Sequence, residues 1–301
     1  MASGKRNRKK KPRKAGAAGP RDPRVVIAPL THLKPLNKIL TEVAAAADRL
    51  VLETPVDPDD LLARFDTEIL VRAINSLKSV QLLLENGHWE HASGITRQLF
   101  ELVVNLEYLG AQPDRFQATF EYCHFGVLQF IREKHREALY GKETGRPVNA
   151  EQFAYLEKTL DTAFDQFKGQ PRADGTTRWV PSWSRKSTKA LAELSPDKMR
   201  VHQYDHLFTV WSEQAHAAPR SLIENLFHDA GEQWVETVFE SDTKKIIEIA
   251  SMSLMMFLSL WRELPNTVPL PPEQMLSWTR RMMGIVAVPE FDDLPGYRVD
   301  T

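Results

Sequence analysis

The sequence holds a single cysteine, Cys123. One thiol cannot close an intrachain disulfide, so a disulfide-stapled secreted scaffold is excluded, and a reducing compartment is the natural fit. Long apolar runs are scarce as well. The most apolar stretch, IIEIASMSLMMFLSLW from Ile246 to Trp261, is 16 residues long and contains Glu248 and three serines. A membrane-spanning helix needs about 20 predominantly apolar residues. The stretch therefore reads as a buried core helix, and no membrane span is expected. Alternating apolar and polar runs of useful length are missing, which argues against a sheet. No repeat of fixed period is evident. There is no glycine-rich phosphate loop, so ATP or GTP use is not indicated and no cofactor is expected. There is no Gly-x-Ser-x-Gly elbow to expose a nucleophilic serine. No apolar run follows the N-terminal charges, so they do not read as a secretory signal, and the expected location is the cytoplasm.

What is present is charge, unevenly placed. Residues 1–24 carry ten Lys and Arg against one Asp, a net of +9; the whole chain carries −1, so the remaining residues carry −10. Eight of the ten positions 5–14 are cationic: Lys5, Arg6, Arg8, Lys9, Lys10, Lys11, Arg13 and Lys14. Such a segment buries too little to offset its ordering entropy and is expected to be a disordered arm over residues 1–34. A basic arm on an acidic body suits a polyanion, and nucleic acid is the expected partner of those eight side chains, without sequence specificity. The bland alternative is a solubility tail.

Beyond Pro35 the pattern is helical. Leu36, Ile39, Leu40, Val43, Ala46 and Leu50 follow the i, i+3, i+4 spacing of an amphipathic helix over 36–53. Further helices are expected near 58–86, 89–110, 114–140, 150–168, 184–194, 196–219, 232–264 and 272–284. Gly87 stops the second, and Pro196 is placed as the first helical residue of the seventh. Residues 169–183, with Gly, Pro and two Trp, read as an ordered surface loop. The predicted fold is an all-α bundle of long antiparallel helices, one domain over 35–284, followed by a loose tail over 285–301.

Two helices draw attention. In HASGITRQLFELVVNLEYL, Ala92, Ile95, Leu99, Leu102, Val103 and Leu106 share one face. Arg97, Glu101 and Tyr108 lie opposite, beside Phe100 and Val104. A helix apolar on both sides belongs at the centre of a bundle. Arg97 and Glu101 are then a buried or half-buried pair that needs a third polar partner. In YDHLFTVWSEQAHAAP, Tyr204, Leu207, Phe208, Trp211 and Ala215 form a core stripe, while Asp205, Thr209, Ser212 and His216 form a polar flank. The expected site is a pocket of Arg97, Glu101, Ser212 and His216 with Tyr204 at its edge. It reads either as a ligand or catalytic site, or as a hydrogen-bond network that fixes helix register. A Ser-His-Asp triad is excluded, since Asp205 and His216 stand about 16 Å apart along one helix. Two Glu-x-x-His pairs, Glu121–His124 and Glu213–His216, are too common a pattern to indicate di-iron, and HWEH near Cys123 matches no strong zinc spacing, so no metal is expected.

Arg200 and His206 fit the loose Arg-x(4–6)-His signature of HEPN ribonucleases, in which Arg holds a phosphate and His acts on the 2′-hydroxyl, although Val201 stands where that family usually has a polar residue. The stronger resemblance lies elsewhere. ASGITRQLFELVVNLEYL resembles the Arg-x-x-x-Glu helix of an uncharacterised bacterial all-helical family, domain of unknown function 5677. That family carries a Trp-containing loop and then a Tyr-x(7)-Ser-x-x-x-His helix, which fall here on Trp183, Tyr204, Ser212 and His216. The likeness spans about residues 60–260 and implies an all-helical fold with a shared polar site, without an established activity. The leading expectation is a helical protein that binds or cleaves nucleic acid, of a stress or phage-defence type. In the catalytic version His216 is the acid/base, Arg97 holds a phosphate, Glu101 orients Arg97, and Ser212 and Tyr204 donate hydrogen bonds. The rival is a non-enzymatic scaffold with a structural polar network.

Overall fold

A computed structural model describes residues 33–171, 173, 175–211 and 232–286. The cationic arm, Ser212, His216 and the tail after Val286 lie outside the described residues. The helices begin where the sequence supplies side-chain caps. Asp60 accepts from the Ala63 amide, Asp114 from Gln117, Asn149 from Gln152 and Ser187 from Ala190. Each cap is worth about 1 kcal/mol to its helix. The first five helices are α1 (Leu33–Glu53), α2 (Leu61–Glu85), α3 (Trp89–Gly110), α4 (Arg115–Glu143) and α5 (Ala150–Thr162). After them come α6 (Thr188–Leu194), α7 (Met199–Asp205), a π-helical turn over His206–Val210, α8 (Glu232–Arg262) and α9 (Pro272–Val286). Among the described residues there is no strand, only one isolated bridge between Lys168 and Trp179. The fold is all-α.

Gly87 ends α2 as its sequence position implies. Its φ of 75° lets the His88 and Gly87 amides turn back onto the carbonyls of Leu83 and Leu84. A residue with a β-carbon pays for that backbone region, which is why glycine stands there.

The main core lies between α2, α3 and α8, with α1 and α9 closing its flanks. Leu40 and Val43 of α1, Leu77 and Val80 of α2, Leu99, Phe100 and Val103 of α3, and Leu254 and Phe257 of α8 are all fully buried. Burying each such side chain contributes about 1.5–3 kcal/mol. The apolar stretch 246–261 sits in this core within α8, and no described helix is long and apolar enough to cross a membrane. Its Trp261 donates its indole N–H to the Val268 carbonyl.

Polar clips tie the elements together where the core allows them. Thr96 of α3 and Ser253 of α8 share a 2.6 Å hydrogen bond inside the bundle. Asp66 of α2, fully buried, accepts from Arg115 of α4 at 2.8 Å and from the backbone and side-chain nitrogens of Asn266 at 3.1 and 2.9 Å. Burial raises the Asp66 pKa above the ordinary aspartate value despite those donors.

A second, smaller core forms where α4 leaves the bundle and packs against α5. It consists of Phe125 and Leu128 of α4 with Phe164 and Phe167. The helix predicted through residue 168 ends at Thr162. A 3-10 turn over Asp165–Phe167 follows, and Phe164 and Phe167 pack with Phe125 and Leu128 of α4. The loop of 169–183 is pinned to this unit: Gly169 donates to the Arg178 carbonyl and Val180 to that of Phe167. Trp183 anchors the loop to the bundle, donating its indole N–H to Asn105 of α3 at 2.7 Å and packing edge-on against Tyr108 and Tyr122.

Candidate functional site

The residues predicted to meet sit on α3 and on the chain leaving α7. The second of these is not the single α-helix from Pro196 that the sequence suggested. Ser195 and Asp197 build a turn first: the Asp197 amide donates to Ser195 Oγ, and the Met199 amide donates to Asp197 Oδ1. The helix therefore starts at Met199. At His206 it widens, and the Trp211 amide reaches back five residues to the His206 carbonyl. A π turn holds one residue more than an α turn, so Trp211 stands about 100° round the axis from its place in unbroken α geometry.

The π turn presents Phe208 to α3. The Arg97 guanidinium lies 3.8 Å from the centroid of the Phe208 ring. That ring stacks on Tyr204 at 4.4 Å and 18°, and Phe100 touches both aromatics from the core side. Arg97 Nε stands 3.4 Å from Glu101 Oε1, the two side chains being 34% and 41% exposed. The structure thus joins Arg97, Glu101 and Tyr204 through Phe208, a residue assigned by its spacing only to the core stripe. The result is a half-exposed column of guanidinium, phenyl and phenol. Stacking of this kind is worth about 0.5–1 kcal/mol at an open site. The Tyr204 hydroxyl makes no hydrogen bond among the described residues. Ser212 and His216, the other two members of the expected pocket, lie outside the described residues.

The most buried ion pair among the described residues escaped the sequence reading. Arg200 donates Nε to Glu107 Oε1 at 2.9 Å, with Nη2 at 2.7 Å from the same oxygen. The two side chains are 1% and 2% exposed. Arg200 Nη1 donates to Gln203 at 2.9 Å, and Met256 Sδ closes the site from α8. Glu107 Oε2 is buried without a hydrogen-bond partner. The signal was available: Glu107 follows Val103 and Val104 by four and three residues, on a buried face of α3. The guanidinium of the Arg200–His206 signature is committed to this pair, while His206 rests edge-on against Trp211 at 5.1 Å.

The other titratable groups singled out earlier are separated. His124 packs among Phe120, Phe164 and Phe167 and meets the Gln166 amide at 2.8 Å. His88 and His91 face one another at 6.3 Å. Burial raises the Cys123 pKa, keeping it a thiol. Among the described residues, no three His, Cys, Asp or Glu side chains gather closely enough to hold a metal ion.

The family of unknown function DUF5677 matches residues 67–233, more than half of the chain. The chain belongs to this family. No curated protein and no solved structure matches it. The DUF5677 region runs from α2 through the π turn, so it holds both the Arg97 column and the Glu107–Arg200 pair. The cationic arm and α9 fall outside it.

Proposed function

We propose that this DUF5677 member binds or acts on nucleic acid, with the Arg97 column as its phosphate-facing site. The observation that carries this reading is the guanidinium held over the Phe208 ring, with Glu101 beside its Nε and both charged side chains partly exposed. A planar guanidinium fixed on one side offers paired donors to a phosphate. The aromatic column beside it suits an unpaired base. Lys5, Arg6, Arg8, Lys9, Lys10, Lys11, Arg13 and Lys14 add salt-sensitive affinity without sequence preference. In the catalytic form Tyr204 and Ser212 donate hydrogen bonds to the phosphate, and His216 takes the proton of a 2′-hydroxyl as that oxygen attacks the neighbouring phosphorus; a 2′,3′-cyclic phosphate forms, the P–O5′ bond breaks, and the departing 5′-oxygen takes a proton from water. Such a protein acts in the cytoplasm, in a stress or phage-defence role.

A second reading has its own support. The sealed Glu107–Arg200 and Thr96–Ser253 contacts are polar pairs that specify helix register without facing solvent. On that reading the chain is a non-enzymatic scaffold whose arm alone adheres to polyanions. Incubation of the purified full chain with end-labelled single-stranded RNA separates the two. The first reading expects cleavage that vanishes in His216→Ala and binding weakened at least fivefold in Arg97→Ala. Unchanged cleavage in the first variant removes the catalytic assignment, and unchanged binding in the second removes the site. Binding that disappears only on deletion of residues 1–24, with no cleavage by any form, establishes the scaffold.

A further inference from the structure

A second polar cleft opens between α4, α5 and the loop that precedes α6. It encloses about 340 Å³, within the range of small-ligand sites. One wall is cationic. Arg132, His135 and Arg136 follow one another at i, i+3 and i+4 and so share a face of α4. The opposite wall, Glu157, Leu160 and Asp161, repeats that spacing on α5. Thr177 and Trp179 supply the third side from the loop.

Three features of this cleft are unexplained by folding. First, Arg132 and Arg136 stand side by side, and neither meets a carboxylate among the described residues. Arg136 Nε bonds only the Arg132 carbonyl, and the Arg132 guanidinium stands 5.8 Å from the Trp179 ring centroid. Burial and then the charge of Arg136 lower the Arg132 pKa, the mark of a cation without a counter-ion. Second, His135 is held by stacking on Phe153 at 5.1 Å and 24°, yet its Nε2 is buried without a hydrogen bond. Glu157 Oε1 stands 4.0 Å from that nitrogen. Third, Trp179 is only partly buried, although it belongs to the margin of the second core. Its fixed backbone bridge to Lys168 keeps the indole at the cleft.

We infer that this cleft is a nucleotide-binding site, taking a phosphate on Arg132 and Arg136 and a base against Trp179. The opposed carboxylates refine the class. Glu157 and Asp161 accept hydrogen bonds only, so they favour a base edge that carries N–H donors, and guanine presents two such groups side by side. Uracil turns carbonyl oxygens toward the same acids and is disfavoured. His135 Nε2 gains the partner it lacks from a phosphate or ribose oxygen. The inference does not depend on the Arg97 column, whose side chains line no part of this cleft. The same chemistry is offered by a free guanosine monophosphate and by a guanosine at the 5′-phosphorylated end of an RNA strand.

Calorimetric titration of the full chain with guanosine 5′-monophosphate tests the inference. Saturable binding is expected, weakened at least tenfold by joint Arg132→Ala and Arg136→Ala and severalfold by Trp179→Leu. Uridine 5′-monophosphate is expected to bind at least fivefold more weakly. A 5′-phosphorylated trinucleotide beginning with G distinguishes the sources: tighter binding than the mononucleotide points to a strand end, weaker binding to the free nucleotide. Melting temperatures of the arginine variants within a few degrees of the parent exclude unfolding as the cause. Absence of binding by the parent chain, or equal affinity of the parent and the double arginine variant, overturns the inference. Loss of RNA binding in Arg97→Ala with mononucleotide binding intact leaves it standing.

Discussion

The bundle around α3 and the α4–α5 unit treat charge in opposite ways. In the bundle, polar groups are sealed in pairs: Glu107 with Arg200, Thr96 with Ser253, Asp66 with Arg115 and Asn266. Each pair joins two or more elements and leaves nothing for a ligand to reach. In the outer unit, Arg132 and Arg136 meet no carboxylate among the described residues, and His135 has Glu157 at 4.0 Å, beside an indole that is not fully covered. A buried charge is retained at a cost unless it specifies packing. An open cluster of like charges stabilises nothing until an anion arrives. The contrast separates the part of the chain that sets the fold from the part that is free to bind.

The sharpest way to break this comparison is Glu107→Ala. It strands the Arg200 guanidinium in the core, and a loss of about 3–5 kcal/mol is expected in urea unfolding. A loss under about 1 kcal/mol would mean that water reaches the pair and that the bundle is not sealed. Leu128→Ala comes next, at about 2–5 kcal/mol for the second core. Because that core is small, hydrogen exchange is expected to quicken in α5 and the 169–183 loop before it does in α2 and α3. Simultaneous opening of both would make the two regions one cooperative unit.

Asp66 sharpens the comparison through pH. Its folded pKa is raised, chiefly by burial, so the folded chain holds the proton more tightly than the unfolded chain does. The stabilising contribution is then full below the unfolded value and is lost as pH rises through the folded one. The wild type is expected to gain stability relative to Asp66→Asn as pH falls from 7 toward 4, read by thermal melting. An opposite trend would show that Arg115 outweighs desolvation at this carboxylate. The smallest effect on stability is expected for Arg132→Ala with Arg136→Ala, within about 0.5 kcal/mol per site. A large destabilisation there would give these arginines a structural task and erase the contrast.

Much of the fold was legible because amphipathic spacing and caps act locally. The helix over 89–110 was placed from its apolar faces, and α3 runs from Trp89 to Gly110. Phe100 and Val104, noted as apolar beside Arg97, are fully buried and make α3 central, as a two-sided helix must be. The site was legible only in its α3 half. Arg97 and Glu101 could be paired by their i, i+4 spacing, and Tyr204 could be brought near them, but Phe208 was read as core because a π turn leaves no periodic trace over five residues. The pairing of Glu107 was not legible because its partner, Arg200, lies 93 residues on, beyond the reach of any spacing rule. The cleft of Arg132, Arg136 and Trp179 joins a helix to a loop some 40 residues on, and no spacing rule links such positions.

The widened turn at His206–Val210 has a consequence for length rather than for composition. A segment with one surplus residue per turn is indexed like a ratchet: removing a single amino acid there, Thr209 for example, lets the backbone relax into ordinary 3.6-residue winding. The Phe208 ring would then swing away from Arg97 while α7 kept its own winding. A deletion of one residue is thus expected to uncouple two segments that most substitutions leave joined.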